Sequence, residues 1–413
     1  MARWRGLPLR SLIAEMMAAA VVFGALVPFE QAAQAAELVP MPPHMAQRPL
    51  AEALAAYRSL SEAGGWPMME AGSSLRLGDA GERVAALRAR LAREGYLPPT
   101  TDRGEAAVFD LALEAAVSEF QRRHGLEEDG VVGPMTLASL NVPAASRAAQ
   151  IDLNLARLRA LPGRLGEPYV AVNIAAQHLQ VIQDGTIRLV SRVIVGKPSA
   201  PTPVLSSRIA KIIFNPPWNV PASIAVNEIL PKLRRDRTHL FKESIIIVDR
   251  SSDPHGLDVN WSSVSLAQFA TRLRQLPGEG NALGRIKFEF PNPYTVYLHD
   301  TPAKRLFERA RRTFSHGCMR LEHASDLAAF LLRDQGWGQA EIESAIADDQ
   351  TREISLQRPV PLWVLYLTAV VDAGGTVHFR EKVYGFDARG RIFEELGAEA
   401  VEVASRTAQR CLG

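Results

Sequence analysis

A chain of 413 residues, 47% hydrophobic and 22% charged, is long enough for two or three domains and apolar enough to bury real cores, which excludes a disordered protein. Its formal net charge of +2 supplies no electrostatic footprint for nucleic acid, and no lysine or arginine run marks a binding face. Nucleic acid is therefore not expected as a partner.

Arg3, Arg5 and Arg10 precede an apolar run over residues 16–27, followed by Pro28 and "QAAQAAE". That order reads as a secretory signal peptide over 1–35, with Ala33-Gln34-Ala35 as its cleavage site; the run is short for a membrane span. A periplasmic protein is the expectation, anchored in the inner membrane if the signal stays on. Cys318 and Cys411 are the two cysteines, and Cys411 stands in what reads as a tail, so a structural disulfide is not expected. A lone thiol in an oxidising compartment is a liability unless it is used, which points to Cys318 as a nucleophile.

Residues 36–73, rich in Pro, Ala and Gly, read as a linker with one short helix around 50–60. From 74 to 142 three helices are expected. In "SLRLGDAGERVAALRARLAREGYLPP", Val84, Leu87 and Leu91 lie at helical spacing, Asp79 and Glu82 resemble a capping box, and Gly95 is a stop. In "FDLALEAAVSEFQRRHGL", Asp110 is the N-cap and Gly125 the end. The third, "GPMTLASLN", has Pro134 at its first position. The opening "LRLGDAGERVAALRARL" and closing "DGVVGPMTLASLN" resemble the type-1 peptidoglycan-binding domain, which implies glycan strands as a ligand. The helical periodicity by itself suits a plain bundle equally well.

A connecting helix is expected within 143–166, striped by Ile151, Leu155 and Leu158 and ended by Pro162-Gly163. From 167 to 386 the pattern turns to strands: "YVAVNIAAQHLQVI", "TIRLVSRVIVG", "RIAKIIF", "SIIIVD", "RIKFEF" and "TVYLHD". Two helical stretches, 223–234 and 266–276, mark an inserted subdomain over about 220–284. Helices "ASDLAAFLLRD" and 339–346 follow, then a pair of strands, "VPLWVLYLTAVV" and "TVHFREKVYGF", joined at "DAGG"; residues 387–413 read as a tail.

The stretch "YLHDTPAKRLFERARRTFSHGCMRLEH" carries the chemistry. Alternation in "PYTVYLHD" puts Thr295, Tyr297 and His299 on one strand face. Cys318 follows the turn "SHGC" ahead of a helix beginning near Ala324, and a thiol near a helix N-terminus beside His and Arg is expected to favour thiolate. Gly317 leaves the sulfur open to a substrate, and backbone N–H groups at such a turn suit an oxyanion. These are the parts of covalent acyl transfer.

"HDTPAKRLFERARRTFSHGCMR" resembles the L,D-transpeptidase catalytic (YkuD) domain, matching at His299, Ser315, His316, Gly317, Cys318 and Arg320. The resemblance implies a multidomain α+β protein: a mainly β, YkuD-like sandwich with a helical capping insertion, preceded by the three-helix module. It implies Cys318 as nucleophile, His299 as general base, and the backbone carbonyl at Asp300 as the group orienting that base. The N–H groups of Gly317 and Cys318 would form the oxyanion hole. Arg320, His316 and Ser315 would hold substrate, the arginine suiting a stem-peptide carboxylate; Tyr297 and Trp218 are further contacts. The implied reaction releases D-Ala from a tetrapeptide stem and forms a 3-3 cross-link through a thioester, with carbapenem-type β-lactams acylating the same sulfur. Other acceptors remain open: water, as in a carboxypeptidase or amidase, or a lipoprotein lysine. A non-catalytic wall-binding protein is the other class.

No cofactor is expected, and no metal, because His299, His316, Cys318 and His323 lack zinc-site spacing. His178, His239, His255 and His378 read as surface or structural residues. "RLFERARR" reads as a helix with a solvated basic face, and "ADDQ" near 348 as a helix end.

Overall fold

The computed structural model describes residues 41–99, 104, 107–264 and 273–389. The signal-peptide segment, Cys411 and the tail beyond 389 lie outside the described residues. The first half is helical: α1 (Gln47–Glu62), α2 (Glu82–Arg93), α3 (Leu111–His124), α4 (Pro134–Leu140) and α5 (Ala144–Arg159). Leu50 and Leu54, one turn apart on α1, are buried against Ile151 and Leu155 of α5 and against Phe379 from the far end of the chain. The segment 36–73, expected as a linker, thus contributes a 16-residue helix to a core. Its i,i+4 leucine pair needs an apolar surface that only the folded chain supplies.

Helices α2 to α4 enclose a separate core of Leu87, Leu91, Phe109, Leu113 and Phe120. The local signals act as their chemistry requires. The Asp110 carboxylate accepts the Leu113 N–H at 2.8 Å, Gly125 takes a left-handed φ of 64°, and Pro134 opens α4 where no N–H partner is needed. The Asp79/Glu82 box does not form. Gly81 is the N-cap, and Asp79 instead accepts the Arg76 N–H at 2.9 Å in the preceding turn. The module is fastened to the second half. His124 stacks on Phe120 and on Phe379 with centroids 3.8 and 5.3 Å apart, and Arg380 donates to the Arg123 carbonyl at 3.0 Å.

The second half contains β1 (Tyr169–Asn173), β2 (His178–Gln183), β3 (Thr186–Gly196), β4 (Leu205–Phe214), β5 (Trp218–Asn219), β6 (Ile245–Ile247), β7 (Leu273–Gln275), β8 (Ile286–Glu289), β9 (Leu298–His299), β10 (Thr313–Ser315), β11 (Met319–Leu321), β12 (Arg352–Leu365), β13 (Ala369–Val371) and β14 (Val377–Phe379). Nine of them form one sheet in the order β10-β3-β11-β9-β8-β4-β12-β1-β2, and β2 also pairs with β3, so the sheet closes on itself. The two layers of this closed sandwich face each other across Val172, Leu179, Ile212, Phe288, Leu298 and Met319. Strand β12 begins eight residues before the apolar run that announces it, at Arg352, because Arg352–Ser355 pair with Lys211–Phe214 before a register irregularity.

The insertion carries α6 (Ala222–Ile224), a π-turn at Ala225–Ile229, α7 (Leu230–Leu233) and α8 (His239–Lys242), with β5-β7-β6 as a small sheet. Leu230, Leu233, Leu240 and Trp261 form its own core. The helix expected over 266–276 meets a strand at Leu273–Gln275, which pairs with β5 on one side and β6 on the other; residues 265–272 lie outside the described residues. α9 (Ala324–Leu332) and α10 (Gln339–Ala347) pack on the large sheet, α10 ending just before Asp348. "RLFERARR" overlaps a 3-10 turn, Lys304–Glu308, in place of a solvated helix, and its last residue, Arg312, is buried against the Gln177 carbonyl at 3.2 Å. His178 and His378 are structural, His378 being buried on Asp372 at 2.8 Å.

Asp387, read from the sequence as the first residue of a tail, is instead an anchor. It pairs with Arg157 of α5 at 2.7 Å, both side chains almost fully enclosed, and accepts the Thr368 hydroxyl at 2.5 Å. Removing one member of such a pair strands a buried charge, whereas replacing both with apolar groups does not. Asp387→Ala is expected to cost about 3–5 kcal/mol in urea unfolding. The double change Arg157→Met with Asp387→Leu should recover most of that loss. Equal losses in the single and double variants would show that the pair anchors nothing.

Candidate active site

Strands β9 and β11 run parallel, with Met319 opposite Leu298 and Arg320 opposite His299. Leu298 and Met319 point into the core. By the period of two, Tyr297, His299, Cys318 and Arg320 share the outer face. β8 adds to it, since Lys287 lies opposite His299 and alternation places Glu289 on the same face. Only Leu298–His299 is strand; Thr295, expected on the same strand face, has a left-handed φ of 58° and is exposed.

His299 is buried, with Nδ1 2.5 Å from the Asp300 carbonyl oxygen. A carbonyl can only accept, so the proton sits on Nδ1 and Nε2 keeps a lone pair. Asp300 is itself held. Its carboxylate accepts the Arg285 N–H at 2.9 Å and the Lys304 ammonium at 2.6 Å, and a Cβ on Gly284 would lie 2.4 Å from its oxygen. Burial, reinforced by the Arg320 charge, lowers the His299 pKa to about 3 despite the Asp300 and Leu283 carbonyls facing the ring. The imidazole is neutral at any physiological pH.

Cys318 is half-buried and free. Its pKa is raised, burial being the largest cause, against the Tyr297 backbone N–H and hydroxyl and the charges of Lys287 and Arg320. The expectation of a standing thiolate is therefore reversed. Cys318 precedes β11, and α9 begins only at Ala324, so no helix N-terminus lies at the sulfur, and desolvation outweighs the nearby cations. The resting pair is thiol and neutral imidazole. Tyr297 bridges the site: its hydroxyl hydrogen-bonds Cys318 and Trp218 of the insertion, and burial followed by the sulfur raises its pKa. Its ring stands 5.6 Å from that of His299, edge to face, and Lys287 Nζ lies 4.4 Å from the ring centre.

The "SHGC" turn is wired through its backbone. Ser315, expected to hold substrate, is buried; its hydroxyl accepts the Gly317 N–H at 3.2 Å and donates to the Cys318 carbonyl at 2.5 Å. That bond occupies the Gly317 N–H, one of the two N–H groups expected to form an oxyanion hole, and leaves the Cys318 N–H as the other. Gly317 is required by its φ of 112°, since a Cβ there would meet nothing closer than 3.5 Å. The expectation that glycine keeps the sulfur clear gives way to a backbone requirement. His316 is exposed and turned to the insertion, its Nε2 2.7 Å from Glu228 of the π-turn and 3.1 Å from Lys197. Arg320 is half-buried, its Nε enclosed without a partner and its pKa lowered by burial.

Sequence reasoning missed Lys287, Glu289, Lys197 and Glu228. The alternation in "KFEF" was a signal for the first two; for the others no local pattern exists. No group of three His, Cys, Asp or Glu side chains among the described residues could hold a metal. A cavity of about 280 Å³ bounded by Gly166, Arg208, Arg333 and Arg358 lies on the β4–β12 side and shares no residue with the constellation.

Residues 167–351 match the family model described as "L,D-transpeptidase catalytic domain", and residues 80–140 that described as "Putative peptidoglycan binding domain". The match to the first ends one residue before β12. A putative L,D-transpeptidase of Haemophilus influenzae is 34% identical over 248 residues, 59% of this chain and 49% of that protein. An N-acetylmuramoyl-L-alanine amidase of Mycobacterium tuberculosis is 40% identical over 80 residues, 18% of this chain and 20% of its own. The chain thus spans about half the length of the first relative and a fifth of the second. Among solved structures, the L,D-transpeptidase of Xylanimonas cellulosilytica (residues 123–326) is similar at 17% identity, covering 72% of this chain and 99% of its own, with a TM-score of 0.22.

A neutral thiol predicts a simple titration. Alkylation of Cys318 by iodoacetamide, followed by intact mass, is expected to climb about tenfold per pH unit through neutral pH, with no plateau below the ordinary thiol range. A plateau starting near pH 5 would instead mean a thiolate–imidazolium pair.

Proposed function

We propose that residues 167–351, which match the family model described as "L,D-transpeptidase catalytic domain", act as such a domain of the YkuD family, and that this protein forms 3-3 cross-links in peptidoglycan through an acyl-enzyme on Cys318. The observation that carries the reading is the Cys318 thiol set beside Tyr297 on one sheet face with His299, whose Nδ1 is tied to the Asp300 carbonyl. A nucleophile, a base with a fixed tautomer and hydroxyl and N–H donors at the sulfur are what acyl transfer requires.

In the proposed first half-reaction the Cys318 sulfur attacks the carbonyl of the third stem residue as its proton passes to His299 Nε2. The oxyanion is met by the Cys318 N–H and the Tyr297 hydroxyl. Collapse breaks the bond to the terminal D-Ala, whose amine leaves with the proton from His299, and a thioester remains. In the second half, the amine of a neighbouring stem attacks the thioester and gives its proton to His299. The C–S bond breaks and the thiol is restored. Because both groups rest neutral, the proton moves within the attack, which suits a desolvated site. Arg320 carries a stem carboxylate, and Trp218 and Glu228 bring the insertion over the bound peptide.

The three-helix module holds glycan strands, and its fastening to β14 keeps donor stems near the site. Export by the N-terminal signal places the work in the periplasm. A carbapenem presents a strained carbonyl to the same sulfur and acylates it.

Intact-protein mass spectrometry of wild type and Cys318→Ala, each with a disaccharide-tetrapeptide and separately with a carbapenem, tests this. We expect a carbapenem adduct on wild type alone and a Cys318-dependent dimer lacking one D-Ala. Adducts with tripeptide and no dimer would move the assignment to a carboxypeptidase, and neither adduct nor product would leave a wall-binding protein.

A further inference from the structure

The catalytic turn hangs on two residues that lie outside the signature. Thr202 is fully buried; its hydroxyl accepts the Gly196 N–H at 2.9 Å and donates to the Gly317 carbonyl at 2.9 Å. The Thr202 N–H in turn donates to the Tyr384 hydroxyl at 3.1 Å, which donates to the Gly196 carbonyl at 2.7 Å. Gly196 allows this tight return, since a Cβ there would lie 2.1 Å from the Ala200 carbonyl oxygen. Tyr384 belongs to the segment after residue 351, where the family match ends. That segment is anchored by Asp387 on Arg157.

In a trans peptide the carbonyl and the following N–H point in opposite directions. The bond from Thr202 to the Gly317 carbonyl therefore decides which way the Cys318 N–H points. Nothing in the Gly317 side chain helps, and at a φ of 112° a glycine backbone rotates more freely than any other. A peptide plane turned over would aim a carbonyl, not an N–H, at a developing oxyanion. We infer that Thr202 and Tyr384 are positioning residues for the oxyanion donor: Thr202 orients the Gly317–Cys318 peptide, and Tyr384 holds Thr202. The inference rests on the acyl-transfer reading above.

The test compares two reactions of the same sulfur in the full chain. Carbapenem acylation passes through an oxyanion; alkylation by iodoacetamide does not. Removing an oxyanion donor costs about 10²–10³-fold, so a donor misaimed in Thr202→Val should slow acylation by at least about 10-fold while alkylation stays within about 2-fold of wild type. Thr202→Ser keeps the hydroxyl and should restore acylation. Tyr384→Phe should fall in the same direction by less, and it serves as the working variant if Thr202→Val does not fold. Acylation and alkylation slowing together, or neither slowing, would overturn the inference and leave the transpeptidase reading intact. A wild type that alkylates but takes no carbapenem would overturn both.

Discussion

Parallel pairing of two short strands, Leu298–His299 and Met319–Leu321, is the constraint on which the rest of the site depends. It brings Cys318 level with Tyr297 and Arg320 level with His299, with Leu298 and Met319 turned inward as the ballast that fixes the register. A slip of one residue would carry sulfur and imidazole into the core and the two apolar side chains out to solvent. Parallel neighbours need a crossover, and the chain from Asp300 to Cys318 supplies it by running out to pair β10 with β3 before returning. The closed sheet then leaves neither strand as a free edge.

Burial follows from that placement, and it sets the electrostatics. With the insertion lying over the outer face, Cys318 and His299 both lose solvent, so the thiol is pushed up and the imidazole down. Arg320 adds to the second shift and Lys287 opposes the first. A pair that rests neutral has no standing charge to keep from water, and what it then needs is a fixed donor where charge appears. The turn itself is held by hydrogen bonds to Ser315 and Thr202, and the Tyr297 hydroxyl bonds the sulfur.

The same logic links distant parts of the chain. α1 and α5, Phe379, and the Arg157–Asp387 pair tie the helical half to the last described strands. Those strands lead to Tyr384, and Tyr384 reaches the loop beneath the "SHGC" turn. The segment beyond the family match is therefore part of the site's support. The three-helix module shares that frame through His124 and Arg380.

Much of this was legible in the residues because it is local. The Asp110 cap, the Gly125 stop and Pro134 act over one helical turn, and "SHGC" with an upstream His specifies a turn and a strand end. What the sequence by itself determined is the inventory: a helical module, a β domain with an insertion, and a reactive constellation around Cys318. Tertiary structure decided what each piece does. It turned Ser315 from an expected substrate contact and the Gly317 N–H from an expected oxyanion donor into struts, a linker helix into core, Asp387 from tail into anchor, and an expected thiolate into a thiol. Each of those outcomes depends on which atoms crowd a group from remote parts of the chain, and desolvation and backbone pairing across more than a hundred residues leave no mark in a local pattern.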